Sequence, residues 1–386
     1  MERLRLGVLF GGKSVEHEVS IITGYQVIAA ADAARYEVIP VYLDRDNLWF
    51  IGDELKDISF FRQDVPPMNR LTRVYPVPDP ARGKLLLMET EAGVLRKPRQ
   101  VVLDVVLPAT HGTFVEDGSL QGLLDFAGVP YASSNVRGST VGMDKELTKA
   151  VLAAAGLPHL PYRIAARSNW ESNKSEVLSN LEALAAYPLF VKPAALGSSV
   201  AVGRASGRVE LERALDLALA FSERALVEPA LDRAIEINCS ILDGDPPIVS
   251  VLEQPVRTNN LLSFDEKYKS GGKKGAKKSG MASQQRLIPA PLSKETTGRI
   301  RDLAVRAFLA VGAGGVARVD FLINEQGECF INELNNIPGS LSFYLWEPLG
   351  KSFRELIDRL VERAIEVNRR RYRTTFAFDA NLLAPR

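Results

Sequence analysis

One stretch, from Gly315 to Gly339, constrains the fold of this chain more than any other. It reads Gly-Val-Ala-Arg318-Val-Asp320-Phe-Leu-Ile, a short polar turn, then Phe-Ile-Asn-Glu333-Leu-Asn335-Asn-Ile-Pro-Gly339. Each half has strand character, and Asn324-Glu325-Gln326-Gly327 between them reads as a hairpin turn. Strand side chains alternate faces, so Arg318 and Asp320 share one face, as do Glu333 and Asn335. Two adjacent antiparallel strands then bring a guanidinium, two carboxylates and a carboxamide together. Oxygen ligands of this kind suit Mg²⁺, which also takes oxygens from substrate phosphates. Arg318 beside them suits an anion. The competing interpretation is a half-solvated hairpin with its charges on the surface.

At 386 residues the chain exceeds one ordinary core, so two or three domains are expected. Its net charge of +1 supplies no global attraction to nucleic acid or membrane. No apolar run approaches the ~18–20 residues that span a bilayer. The first residues lack an h-region and cleavage site, which makes the cytoplasm the expected compartment. Cys239 and Cys329 sit in apolar runs and read as buried thiols, not as a disulfide framework.

The first part alternates strand and helix. Leu6–Phe10 ends in Gly11-Gly12, a helix follows from about Glu16 to Ala34, and Val38–Leu43 is the next strand. Val101–Leu107 is apolar but for Asp104 and reads as one strand buried on both faces. It ends at Pro108-Ala-Thr-His111-Gly112. The expected class is α/β, with an N-terminal open parallel-sheet domain over 1–133 whose ligands gather beyond the strand ends. A second unit over 134–231 carries a helix from about Met143 to Ala155, strand Tyr162–Ala166, and Pro188–Val191 and Val200–Val202 around a Gly-Ser loop. A third unit over 232–386 carries strands Ile235–Leu242 and Ile248–Leu252, a helix near Glu295–Val311, the hairpin, and a helix near Phe353–Arg371. The polar loop 259–283, dense in lysine, reads either as a lid closing over polyphosphate or as a solvated loop.

Several short segments carry chemistry. Phe190-Val191-Lys192-Pro193-Ala-Ala-Leu-Gly197-Ser198-Ser199-Val200 joins two strands through small residues whose N–H groups can cradle phosphate, with Lys192 as a point charge. An ordinary β-hairpin is the alternative, and the Walker A order is absent. Lys145 lies in the first turn of its helix, poorly placed for the dipole unless it meets an anion. Glu228, at a strand end before Pro229, suits ribose hydroxyls or is a surface carboxylate. Glu16 at a helix N-terminus either faces an ammonium or caps the helix. His111 and Glu116 add an imidazole and a carboxylate at another strand end; three histidines in the chain make a zinc site improbable.

Taken in order, these segments resemble the D-alanine–D-alanine ligase family of ATP-grasp enzymes, from Gly11 to about Gly350. The carriers are Gly11-Gly12-x-Ser-x-Glu16-x-x-Val-Ser, His111-Gly-x-x-x-Glu116-Asp-Gly-x-x-Gln121-Gly and Met143-Asp-Lys145. They continue with Phe-Val-Lys192-Pro-x-x-x-Gly-Ser198-Ser-Val, Lys267-Tyr268, Ala-Arg318-Val-Asp320 and Asn332-Glu333-x-Asn335-x-x-Pro-Gly339. The resemblance implies a three-domain ATP-grasp architecture. It implies phosphorylation of one D-alanine carboxylate by ATP and attack on the acyl phosphate by the amine of a second D-alanine. Lys145, Lys192, Ser199, Glu228, Glu236 and Lys267 would contact the nucleotide. Asp320, Glu333 and Asn335 would hold two Mg²⁺ (or Mn²⁺) ions. Arg318 and the Gly339 N–H would stabilise the tetrahedral oxyanion. Glu16, Ser198 and Tyr268 would form a network around the first substrate, and His111, Glu116, Ser340 and Ser342 would contact substrate. The partners implied are D-alanine and ATP, in a homodimer. The chain departs from the family pattern after Gly339, where Ser340–Trp346 is short, in the length and charge of the loop after Tyr268, and by one residue between Glu228 and Glu236. The alternatives are an ATP-grasp carboxylate–amine ligase taking another second amino acid or substrate pair, a nucleotide-binding regulatory protein without catalysis, and a purely structural interaction protein.

Overall fold

The computed structural model describes residues 3–63, 65–91, 97–197, 200–256 and 286–378. Three sheets form among them. The first contains β1 (Leu4–Gly11), β2 (Tyr36–Leu43), β3 (Trp49–Ile51), β4 (Thr72–Asp79), β5 (Lys84–Glu89), β6 (Gln100–Leu103) and β7 (Val105–Pro108), in the order β6-β5-β4-β3-β2-β1-β7. Its β2-β1-β7 part is parallel, as expected for strands buried on both faces. The antiparallel strands β3, β4 and β5 extend it into a mixed sheet that the apolar runs alone did not reveal.

The apolar run Val101–Leu107 is two strands, not one, divided at Asp104. β6 and β7 stand at opposite ends of the hydrogen-bonded order yet are one residue apart in sequence, so the sheet curls until its edges meet. Asp104 makes the seam. Its N–H donates to the Arg5 carbonyl at 3.0 Å, and its carboxylate accepts from Arg5 Nε at 3.0 Å, Arg5 Nη2 at 2.9 Å and Lys84 Nζ at 2.7 Å. Gly7 lets the edges approach: a Cβ there would lie 2.5 Å from Leu103 Cδ1. Leu9, Val41, Leu85, Leu87, Leu103 and Val106 fill the inside of the curl. Leu6, Val8 and Phe10 point the other way, against helix α1 (His17–Ala30). α2 (Ser119–Ala127) closes the inner core with Leu120 and Leu124.

α3 (Val136–Met143) and α4 (Lys145–Ala154) lead into the second sheet. That sheet contains β8 (Arg163–Ala166), β9 (Leu189–Pro193), β10 (Gly203–Ala205) and β11 (Arg224–Pro229) in the order β10-β9-β11-β8, packed on α5 (Arg167–Ser172), α6 (Lys174–Glu182) and α7 (Arg208–Phe221). The third contains β12 (Ile235–Leu242), β13 (Ile248–Pro255), β14 (Arg286–Leu287), β15 (Val316–Ile323) and β16 (Cys329–Asn335), ordered β14-β13-β12-β15-β16. α8 (Lys294–Val311) covers it with Ile300, Leu303, Ala304, Ala307, Phe308 and Val311, the 3–4 spacing of one apolar stripe. α9 (Phe353–Arg371) begins with a capping box between Ser352 and Glu355 and returns to the first sheet, burying Leu356, Ile357, Leu360 and Val361 there. Its Arg363 also holds Asp243 of the third sheet's β12 end at 3.0 Å. One helix thus fastens two sheets together.

Candidate active site

The hairpin expected at 315–339 forms, with Asn324 N–H donating to the Glu328 carbonyl at 3.0 Å across its turn. Arg318 stands opposite Asn335 and Asp320 opposite Glu333, so alternation puts all four on one face. Arg318 Nε and Nη2 each reach an Asp320 oxygen at 2.6 Å, and Asn335 Nδ2 donates to Oδ2 at 3.1 Å. Burial raises the proton affinity of the Asp320 carboxyl, Arg318 opposes this, and Glu333 and Glu236 add to the rise. Three acids near one guanidinium leave negative charge that a cation would offset. The row of paired polar residues continues across the sheet: Glu333, Asp320, Asn238 and Glu253 lie in register on β16, β15, β12 and β13. Arg286 Nη1 donates to Glu253 at 2.8 Å with its guanidinium 4.1 Å from the Tyr344 ring centre.

A bulge interrupts the hairpin between Asp320 and Phe321, where Asn332 is the additional residue on β16. It aims Asn332 Oδ1 at Lys192 Nζ, 3.0 Å away on β9, and so links the second and third sheets. Lys192 also ion-pairs with Glu228 on β11, while Lys149 Nζ of α4 stands 2.9 Å from Glu228 Oε2. Glu228 is only 1% exposed. Burial favours its neutral form, but the two ammonium groups prevail and hold the carboxyl at about 2. Each Glu228 oxygen faces one ammonium, Oε1 that of Lys192 and Oε2 that of Lys149, and the carboxylate's further lone pairs are what a nucleotide donor group would use. Glu236 lies on β12, half-buried and opposite Leu322.

Met143 ends α3; it does not open the next helix. Asp144 is the N-cap of α4, accepting from Glu146 N–H at 2.9 Å and Leu147 N–H at 3.1 Å. Lys145 then leaves the first turn toward the third sheet, donating to the Leu196 carbonyl at 2.6 Å with Nζ 4.0 Å from Glu333 Oε2. An anion therefore does face this cation.

The first sheet contributes the remaining wall. Gly11, at φ 90°, lies so near Leu43 that a Cβ would meet its carbonyl oxygen at 2.1 Å. Glu16 occupies the N-cap position of α1 without a side-chain capping bond. It leans instead on the Gly197 loop, where a Cβ would sit 2.3 Å from its Oε2. Glu116 accepts from Gly112 N–H at 3.0 Å and from Ile337 N–H at 2.8 Å. Burial, then Glu16, pushes it up to about 8. His111 is buried, which lowers it to about 4, and its Nε2 lies 2.9 Å from Thr23 Oγ1. Beyond Gly339, Ser340, Leu341 and Ser342 all adopt left-handed backbone, with φ of 55°, 48° and 50°. Each such residue costs about 1–2 kcal/mol and persists only where packing holds it. Ser342 Oγ is buried there with no hydrogen-bond partner.

One cleft gathers Glu16, His111, Glu116, Lys145, Arg318, Glu333, Asn335 and Gly339. Lys192, Glu228 and Glu236 stand beside it on β9, β11 and β12, and Ser340 and Ser342 are buried behind Gly339. Ser198, Ser199, Lys267, Tyr268 and the expected lid over 259–283 lie outside the described residues. The sequence reading missed Thr23, Lys149 and Asn332. Thr23 is seven positions past Glu16 and so shares its helix face, and Lys149 follows Lys145 by one turn, buried between Thr148 and Leu152 on the inward side of the helix. Asn332 had no periodic signal, because only the bulge turns it toward Lys192.

The fold and the cleft define an α/β ligase of the ATP-grasp class. The profile described as D-ala D-ala ligase N-terminus matches residues 5–134, and that described as D-ala D-ala ligase C-terminus matches residues 151–362. The chain belongs to the D-alanine–D-alanine ligase family. It is 37% identical over 378 residues to the D-alanine–D-alanine ligase of Heliobacterium modesticaldum, covering 97% of this chain and 98% of that protein. The solved D-alanine–D-alanine ligase of Coxiella burnetii superposes with a TM-score of 0.78 at 28% identity, covering 97% of each chain. The VanG D-Ala:D-Ser ligase of Enterococcus faecalis superposes with a TM-score of 0.76 at 26% identity, covering 94% of this chain and all of that one. Among the described residues, no helix is long and apolar enough to cross a membrane.

Proposed function

We propose that this chain joins two D-alanines at the expense of ATP, forming D-alanyl-D-alanine for peptidoglycan precursors. The observation that carries the reading is the single hairpin face holding Arg318, Asp320, Glu333 and Asn335, opposite Lys145 and beside Lys192 and Glu228. Phosphoryl transfer asks a protein for positioning and charge neutralisation, and this face offers both.

The donor set fits magnesium. Among the described residues no three His, Cys, Asp or Glu side chains converge as a complete metal cage. Two carboxylates and a carboxamide are what a Mg²⁺ ion uses when phosphate oxygens and water complete its shell. Asp320, Glu333 and Asn335 would hold such ions, which supply charge neutralisation at the phosphates. Glu228 would take a hydrogen bond from the nucleotide on a remaining lone pair, with Lys149 and Lys192 keeping it ionised. Lys145 and Lys192 would bind phosphate oxygens. Glu16 would receive the ammonium of the first D-alanine and orient its carboxylate toward the nucleotide. The acyl phosphate formed there, with ADP as the other product, would be attacked by the neutral amine of the second D-alanine; the oxyanion would be held between Arg318 and the Gly339 N–H, and its collapse would break the C–O bond and release phosphate and the amine's proton. The residues of 259–283 would exclude water from that intermediate.

A second reading changes only the second amino acid. The short, left-handed Ser340–Ser342 turn and its unpartnered Ser342 hydroxyl favour it. The experiment for both measures ADP release with ATP and Mg²⁺ in D-alanine, D-alanine plus D-serine, D-alanine plus D-lactate, and L-alanine, with products separated by mass. D-alanyl-D-alanine is the expected product. A mixed product formed in preference to it selects the second reading, and no D-amino-acid-dependent turnover sinks both.

A further inference from the structure

Thr23 lies on α1 with no exposed surface, yet its hydroxyl is used to capacity. A threonine hydroxyl offers one proton and two lone pairs. Thr23 Oγ1 donates to the Val19 carbonyl at 3.0 Å, one turn back in the same helix, and accepts from Ser340 N–H at 3.0 Å. Its remaining capacity meets His111 Nε2 at 2.9 Å. The Val19 bond and the branched Cβ fix its rotamer, so the oxygen is a rigid point on the helix.

What that point holds is the start of an unfavourable backbone. Ser340 is the first of the three left-handed residues, and its amide is adjacent to Gly339. The next amide, of Leu341, turns back onto the Pro338 carbonyl at 2.8 Å. Two residues before Gly339, Ile337 is held through its own N–H by Glu116. The turn is thus pinned on both sides of Gly339 by groups from the first sheet's side of the cleft, and Thr23 supplies the pin after it. Without an acceptor at 23, the Ser340 N–H would be buried and unsatisfied, and the strained turn could relax toward ordinary backbone.

We propose that Thr23 is a positioning residue for the ligation step, fixing the Gly339 amide through its hydrogen bond to Ser340. This rests on the reading that the Gly339 N–H faces the oxyanion. Thr23 itself touches no substrate in this account.

The test compares Thr23→Val, which keeps the shape and removes the oxygen, with Thr23→Ser, which keeps the oxygen. Thr23→Ala is the second deletion should valine fold poorly. Steady-state ADP release is measured in D-alanine and ATP, with thermal melting and ATP binding measured on each variant. In Thr23→Val, kcat is expected to fall about 10- to 100-fold, the loss typical of a misplaced catalytic group, with KM for ATP within about twofold of wild type. Thr23→Ser is expected to retain kcat within about threefold, since its hydroxyl can make the same bond. Wild-type kcat in both Thr23→Val and Thr23→Ala would overturn the proposal while leaving the function intact. So would a serine variant as impaired as valine, or a kcat loss matched by equal losses in ATP affinity and melting temperature. A wild-type enzyme with no D-alanine-dependent turnover would overturn the functional reading itself, and this inference with it.

Discussion

Glu116 accepts the Ile337 amide proton at 2.8 Å, although 221 residues separate the two in sequence. The same carboxylate accepts from Gly112 at 3.0 Å, so the loop after β7 and the turn leading to Gly339 share one anchor. Two opposed influences act on it. Burial and the nearby Glu16 disfavour its charge, while the backbone N–H donors favour it, and the balance lies at about 8.

The sign of the resulting pH dependence follows. A carboxyl raised from 4.5 to about 8 on folding contributes stability that is complete below pH 4.5 and lost as pH climbs through 8. Thermal unfolding from pH 5 to 9 should therefore show wild type losing stability relative to Glu116→Gln. At the acid end the glutamine variant should be the weaker by about 1–3 kcal/mol, because its amide cannot accept from both N–H groups. A difference that is flat across this range would contradict the placement.

Arg318→Lys should separate binding from chemistry. A lysine cannot span both Asp320 oxygens, which Arg318 holds at 2.6 Å each. If Arg318 is the oxyanion donor proposed above, kcat should fall about 100- to 1,000-fold. The KM for ATP should stay within about threefold, since Lys145 and Lys192, the residues proposed to bind its phosphates, are untouched. Equal damage to both parameters would mean that Arg318 serves binding.

Lys149→Met should weaken ATP binding without touching ATP. It removes the ammonium 2.9 Å from Glu228 Oε2 and leaves that buried acid with Lys192 alone. Breaking such a pair costs on the order of 3 kcal/mol of stability. Calorimetric titration should show an ATP Kd raised by about tenfold, as a misset or protonated acceptor implies for a lost 1.4 kcal/mol. Unchanged affinity would place Glu228 outside the nucleotide site.

Chelation by EDTA should abolish D-alanine-dependent ADP release, and added Mg²⁺ or Mn²⁺ should restore it. Asp320→Asn should resist full restoration, because it removes one of the two carboxylates proposed to hold the ions. Full activity in EDTA would remove the metal from the proposal.

The hairpin was legible because its alternation put Arg318, Asp320, Glu333 and Asn335 on one face before any pairing was known. Lys145 was legible because a cation in a first helical turn needs a partner, and Glu333 is there. β3, β4 and β5 were not, because Trp49–Ile51 is short and prolines punctuate Thr72–Asp79. The break at Asp104 was hidden by apolar neighbours on both sides, since periodicity carries no information on which partner strand each half will choose. Thr23 and Asn332 depend on contacts made 317 and 140 residues away, which no local pattern encodes.

The pins across the Gly339 turn have an evolutionary reading. Thr23 and Glu116 come from the chain's opening third, while Ser340 and Ile337 come near its close. Chimeras between relatives should therefore obey an inheritance rule: whichever parent donates the opening third must also donate the turn. A crossover that separates them would assemble two sound halves around a misaligned centre.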